Sequence, residues 1–217
     1  MSTNAEFFDL VMSMVSRSND AVSRAFAVGQ ARLVLQNFDN GPFHPWFLET
    51  EASLILADSG IAASTVDLPT DFLDFVEDTD VYLYPASGDK VKLERGHFED
   101  LQLAFINADP QAPEAFDVIG SRFFVGATPD LADYEVRFWY FKKTTAPADN
   151  DDQVSNEWIL NAEELTACEV AARVASRKLL RTQLASDLYA EASTLRADLF
   201  KLNESRKHSQ MDYAVNN

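Results

Sequence analysis

Residues 161–202 read NAEELTACEVAARVASRKLLRTQLASDLYAEASTLRADLFKL, with neither Gly nor Pro among them. Leu165, Cys168, Ala172, Val174, Ala175 and Leu179 keep an apolar, mostly small stripe at helical spacing. Leu184, Leu188, Ala192, Leu195, Leu199 and Leu202 then recur in steps of four, four, three, four and three. Such steps make a coiled-coil-like seam along one helix face. A single straight helix of this length is unusual in a compact domain. The stretch therefore predicts a break near residues 180–183 and a helical hairpin. Asn161 followed by Glu164 fits an N-terminal cap with its reciprocal carboxylate. A seam this regular must meet another apolar surface. Leu188, Leu195 and Leu199 are its expected packing residues, within the subunit or between neighbours.

Outward from this hairpin, the N-terminal residues are also helical in pattern. Phe7, Phe8, Leu10, Val11, Met14 and Val15 mark a first amphipathic helix. A second carries Val22, Phe26, Val28, Leu33 and Leu35, is capped by Asn19 or Asp20, and ends before Asn40-Gly41-Pro42. Between the two helical ends the period changes. Strand character begins at Pro45-Trp46-Phe47 and continues through Thr65–Leu68, Val81–Tyr84 and Val91–Leu93. Residues 115–120 and 121–125 read as strands paired around Gly120, and residues 133–141 alternate as a half-buried strand. Residues 97–106 read as a short helix bearing Phe98, Leu101 and Phe105.

The expected class is α+β, a helical bundle with a β-rich insertion. Its parts are N-terminal helices (1–44), the insertion with an acidic loop (45–155), C-terminal helices (156–204) and a flexible, extended tail (205–217). In that tail Arg206 and Lys207 form a basic patch. Met211, Tyr213 and Val215 alternate at two-residue spacing, so an extended arm would turn all three to one side, as a segment that docks on a partner does.

The chain has 217 residues, 18 Lys and Arg, 35 Asp and Glu, and a net charge of −17. The imbalance is uneven: residues 1–172 sum to −20 and residues 173–217 to +3. An acidic surface argues against gripping the nucleic-acid backbone, which requires a basic footprint. There is no signal-peptide pattern at the start and no apolar run able to span a membrane. The lone Cys168 excludes an internal disulfide and reads as a packing residue.

No catalytic constellation stands out. His44, His97 and His208 lie far apart with no His or Cys at metal-ligand spacing. There is no phosphate-binding glycine loop and no nucleophile elbow. Asp149-Asn150-Asp151-Asp152 lacks the glycine and bidentate Glu of a calcium loop. No cofactor or metal is therefore expected. Two other classes stay open on the residues alone: an acidic α+β enzyme with a carboxylate-bound divalent metal, and a monomeric binding module.

The order of several short motifs carries a resemblance. Trp46-Phe47 comes first, then Val66-Asp67-Leu68-Pro69-Thr70-Asp71-Phe72. Ala115-Phe116-Asp117, Ile119-Gly120, Phe123-Phe124-Val125, Thr128-Pro129-Asp130, Tyr134 and Trp139-Tyr140 follow. Asn156-Glu157-Trp158-Ile159-Leu160 and the Ala-rich helix close the series. Over about residues 20–205 this resembles the head-to-tail adaptor proteins of tailed bacteriophages. The resemblance implies a dodecameric ring beneath the portal, in the neck of the virion, assembled in the host cytoplasm. It implies the portal protein and tail, nozzle or tail-terminator proteins as partners, no catalytic site, and a C-terminal extension that grips the portal. In this chain that extension holds Arg206, Lys207, Met211, Tyr213 and Val215. The acidic surface then suits a channel through which DNA slides without specific binding.

Overall fold

The computed structural model describes residues 3–16, 21–56, 64–86, 88–101, 112–126, 129, 134–148 and 156–215, and side chains as far as residue 206. The fold is mixed α+β, and the chain divides into two compact units. Met1–Leu48 and Thr144–Asn217 form a helical unit; Glu49–Lys143 forms a unit built on one β-sheet.

In the helical unit, α1 spans Asn4–Met14 and α2 spans Ala21–Asp39. A 3-10 turn covers Trp46–Leu48. A short α3 (Glu157–Asn161), α4 (Glu163–Arg177) and a long α5 (Thr182–Val215) follow. Thr3 starts α1 with a complete capping box. Its hydroxyl accepts from Glu6 N at 3.2 Å, and Glu6 Oε2 accepts from Thr3 N at 2.7 Å. Helix α4 is the hub, because α1, α2 and α5 all pack on it. Leu165, Thr166, Ala167, Cys168, Val170, Ala171, Ala172, Val174 and Ala175 are consequently buried around most of its circumference. Small side chains let three helices approach a single axis closely, since interaxial distance follows the residues at the contact.

Packing against this hub selects a face of α2 that only partly coincides with the one its large apolar residues suggest. The buried positions are Ser23, Ala27, Gln30, Ala31, Val34, Leu35, Phe38 and Asp39, while Val22 is 73% and Leu33 41% exposed. Leu35 is buried as expected, and the small residues Ser23, Ala27 and Ala31 join that face because they meet an alanine-rich partner. The cap expected at Asn161 also lies elsewhere. Asn156 is the N-cap of α3, with Oδ1 accepting from Trp158 N at 2.9 Å and Ile159 N at 3.2 Å. Asn161 is the last residue of α3, and its Nδ2 donates to Glu157 O. Helix α4 starts from Ala162 without a side-chain cap. The second-helix caps proposed at Asn19 or Asp20 lie outside the described residues.

The expected break falls at residues 178–181. Leu180 has φ 52°, a left-handed conformation that costs an L residue roughly 1–2 kcal/mol. Leu179 N bonds Val174 O and Arg181 N bonds Ala175 O, closing the last turn of α4. Arg181 Nη1 also donates to Val15 O at 3.1 Å, tying the turn to the end of α1. The Leu180 side chain is 79% exposed, so it contributes little burial in return. Leu180→Gly is expected to raise stability by about 0.5–1 kcal/mol in urea unfolding, the relieved strain exceeding the added chain entropy. A loss of stability in that variant would mean that the leucine side chain holds the turn.

Beyond Leu202 the expected extended tail is replaced by helix: α5 continues without interruption to Val215. No Gly or Pro follows Leu202, and Ser205, Arg206, Lys207 and Gln210 are compatible with a helix interior. At helical spacing Lys207, Met211 and Val215 fall in one row and Tyr213 in another. The two-residue alternation therefore does not set the backbone.

The β unit holds β1 (Glu49–Leu56), β2 (Thr65–Asp67), β3 (Phe72–Phe75), β4 (Val81–Tyr84), β5 (Val91–Arg95), β6 (Ala115–Ile119), β7 (Arg122–Gly126) and β8 (Tyr134–Lys142). The sheet order is β1-β8-β4-β5-β6-β7-β2, with β3 added to β8. Only β5 and β6 run parallel among these pairs. The ends of this order, β1 and β2, lie in contact, so the sheet curls around its core. Gly120 makes the β6–β7 turn at φ 61°, as the paired-strand reading requires. The strand start expected at Pro45-Trp46-Phe47 is instead the 3-10 turn, with β1 beginning at Glu49. Residues 98–101 are helical, and Phe105 lies outside the described residues.

Strand β8 is the sheet's centre, pairing with β1, β3 and β4. Its alternation buries Tyr134, Val136, Phe138 and Tyr140. Phe138 stacks on Phe123 at 5.8 Å and Phe123 on Phe116 at 5.0 Å. The aromatic-rich middle of the sequence is thus spent on the core of the sheet.

Candidate functional site

The distal part of α5 is where the sequence places partner-binding residues. Along this helix Ala185, Leu188, Ala192, Leu199 and Asn203 are buried, Leu184 and Leu195 are half-buried, and Leu202 is exposed. The seam faces α4, and its burial weakens toward residue 202.

Asn203 is 3% exposed, an unusual setting for an amide. Its Oδ1 accepts from Trp46 N at 2.9 Å, which satisfies an N–H at the first residue of the 3-10 turn. Phe200 packs on Phe43 at 5.4 Å, and the Arg206 guanidinium lies over the Trp46 ring at 4.1 Å. Residues 200–206 therefore run along residues 43–46, joined by a ring pair, a hydrogen bond and a cation–π contact. Phe200 and Leu202 remain about half exposed there. Of the five proposed contact residues, Arg206 is engaged with Trp46. Lys207, Met211, Tyr213 and Val215 lie farther along the same helix.

A second polar constellation fixes where the chain re-enters the helical unit. Asp39, at the end of α2, is 7% exposed. Its carboxylate accepts from Thr144 N at 2.9 Å, Thr144 Oγ1 at 3.1 Å and Trp158 Nε1 at 3.1 Å. Asn156 Nδ2 donates to Thr145 O at 2.7 Å. The Trp158 ring packs between Phe38 at 4.6 Å and Phe47 at 5.2 Å. This cluster was not readable from the sequence, because Asp39 lies 105 residues from Thr144 and 119 from Trp158. A hint was the lone Asp39 ending an apolar helix before Asn40-Gly41-Pro42.

The residues weighed for chemistry are held in structural settings. Burial, and then the nearby Glu191, Glu164 and Glu169, push the Cys168 thiol up to about 11. A thiol so disposed is not an activated nucleophile. His44 Nε2 lies 3.1 Å from Asp39 O, and His97 is exposed in the β unit. Among the described residues no three His, Cys, Asp or Glu side chains gather as metal ligands.

On the β unit, the surface carboxylate of Glu135 is held by an arginine and a serine. Arg137 Nε and Nη2 both donate to it at 2.8 Å, and the Ser53 hydroxyl donates as well. These bonds, from Arg137 first and Ser53 second, hold its pKa down at about 2 against an ordinary 4.5. The unfolded chain then binds the extra proton more readily, so this contribution is present above the ordinary pKa and is lost as pH falls toward 2. Glu135→Gln should flatten the acid limb of the melting-temperature profile between about pH 4.5 and 2. An unchanged slope in that window would assign the acid sensitivity to other carboxylates.

The family model for the SU10 adaptor protein matches residues 5–212. The chain belongs to the SU10 adaptor protein family. A comparison with curated proteins gives no match. The family match spans both ends of the helical unit and the whole β unit. It also covers Arg206, Lys207 and Met211 and stops short of Tyr213 and Val215. Membership makes this a phage adaptor, a structural role in association with other head or tail proteins and a virion component. No helix among the described residues is long and apolar enough to cross a membrane.

Proposed function

We propose that this adaptor forms a ring, of twelve subunits by the resemblance, beneath the portal and joins the DNA-filled head to the tail. In this reading the helical unit is a bundle and the β unit an insertion within it. The portal is held by the end of α5, through Arg206, Lys207, Met211, Tyr213 and Val215. The tail-side partner is a tail, nozzle or tail-terminator protein. The observation that carries the reading is the family match over residues 5–212. The helical state of residues 204–215 changes its mechanics: the arm engages as a helix laid into a groove, not as an added strand. The net charge of −17 supports a channel lining that repels DNA and lets it slide.

The experiment is co-assembly with the portal protein, read by sedimentation and by electron microscopy of the complex. A chain ending after Asn203 retains the Asn203–Trp46 bond and should stay folded. Its portal affinity should fall at least about tenfold, the order expected when a central contact cluster is removed. Tyr213→Ala should weaken binding without lowering stability. Unchanged affinity of the truncated chain would move the portal contact to another surface.

A further inference from the structure

Helices α2, α4 and α5 enclose a cleft of about 390 Å³ that the portal-arm reading does not use. Its apolar lining includes Phe38, Trp158, Leu165 and Leu199, and its charged lining is Glu169, Arg173 and Arg196. Leu165, Glu169 and Arg173 recur every four residues along one side of α4. That spacing lets an otherwise buried helix present a carboxylate and a guanidinium to one opening. Arg196 Nη2 pairs with Glu169 Oε1 at 2.7 Å, and its guanidinium lies over the Phe38 ring at 5.3 Å. The Glu169 charge is therefore answered within the cleft.

Arg173 is different. Its Nε is buried with no hydrogen-bond partner among the described residues. A buried donor left unmade is costly, and a guanidinium is a permanent cation that fits carboxylates by a fixed fork of donors. The cleft thus holds two cations against one anion, in a chain whose net charge is −17. Its volume is at the small end of ligand-holding pockets, suited to a few side chains and not to the face of a helix.

We propose that this cleft docks a short extended segment of a partner protein, carrying one Asp or Glu beside a large apolar side chain. The carboxylate meets Arg173, and the apolar side chain enters between Phe38, Trp158 and Leu199. A second copy of this chain is a poorer occupant. Its exposed large apolar residues, such as Ile55, Trp139, Tyr189 and Phe200, lie within paired strands or helices among the described residues, and Leu180 stands alone in a tight turn.

The test measures fluorescence anisotropy of labelled pentapeptides on the intact protein without portal, so it does not depend on the portal-arm reading. The set places Glu or Asp beside Leu, Phe or Trp, beginning with Ser-Leu-Glu-Phe-Ser. Saturable micromolar binding is expected, with a loss of at least about tenfold when Gln replaces Glu or when Arg173→Met is used. The Met variant keeps an unbranched apolar stem and should melt no lower than the wild type, which separates lost binding from lost folding. Failure of the whole set to saturate below about 1 mM would overturn the proposal. So would equal binding by the Gln peptide, or by an Arg173→Met protein with an unchanged melt. Self-association in sedimentation that Arg173→Met abolishes would put a second copy in the cleft and overturn it too.

Discussion

Replacing Asp39 by alanine is expected to destabilise the helical unit by about 3 kcal/mol. Its carboxylate receives the Thr144 amide, the Thr144 hydroxyl and the Trp158 indole N–H. Trp158 is 2% exposed, so its N–H has no water to turn to once the carboxylate is gone. The Thr144 donors lose their partner in the same step, and coupled bonds of this kind cost more together than a single surface bond. Asp39→Asn keeps one acceptor oxygen and should cost about half as much. Urea unfolding read at Trp158, with Trp46 and Trp139 changed to Phe, distinguishes the two variants. A loss below about 0.5 kcal/mol for Asp39→Ala would mean that water satisfies these donors.

The other large effect belongs to the β unit. Phe138→Ala should cost about 4 kcal/mol, the scale of emptying a fully buried aromatic site. Phe138 is 1% exposed and in ring contact with Phe72, Phe75, Phe123 and Tyr140. Its neighbours are held by strand pairing on both sides of β8, so they cannot collapse into the space. Phe138→Leu should lose much less, since most of the volume remains. Hydrogen exchange of the β8 amides reads this directly. Protection in Phe138→Ala equal to the wild type would show a core that repacks freely.

Local chemistry made much of this architecture readable in advance. The alternation in residues 134–142, the Gly120 turn and the change of period between the ends of the chain each depend on neighbours in sequence. So does the hairpin break, which length alone implied and a left-handed Leu180 provides. Features set by distant partners were not readable. Large apolar residues marked only part of the buried face of α2: Leu35 lies in it and Val22 and Leu33 outside it, because the burying surface is the small-residue helix α4. Asn161 and Asn156 look alike as caps, and only Thr145 and the α3 backbone select Asn156. Strand β3 was missed because Phe72–Phe75 is only four residues long and pairing with the distant β8 completes it. In the candidate site, Arg206 was legible as charge, but its seat on Trp46 joins residues 160 positions apart.

The bond from Trp46 N to Asn203 Oδ1 bears on how the protein is made. A ribosome emits the chain in one direction, and domains generally fold as units in the order of their synthesis. The β unit, Glu49–Lys143, is continuous and can close while the remainder is still being translated. The Trp46 amide has only water as a partner until residue 203 has emerged from the exit tunnel. The closing contact of the helical unit thus doubles as a check on completeness. A nascent chain interrupted before Asn203 carries a finished sheet but an open helical unit with Trp46 and Phe43 uncovered. Such a chain keeps exposed the apolar surface that Phe200 and Arg206 cover in the complete one.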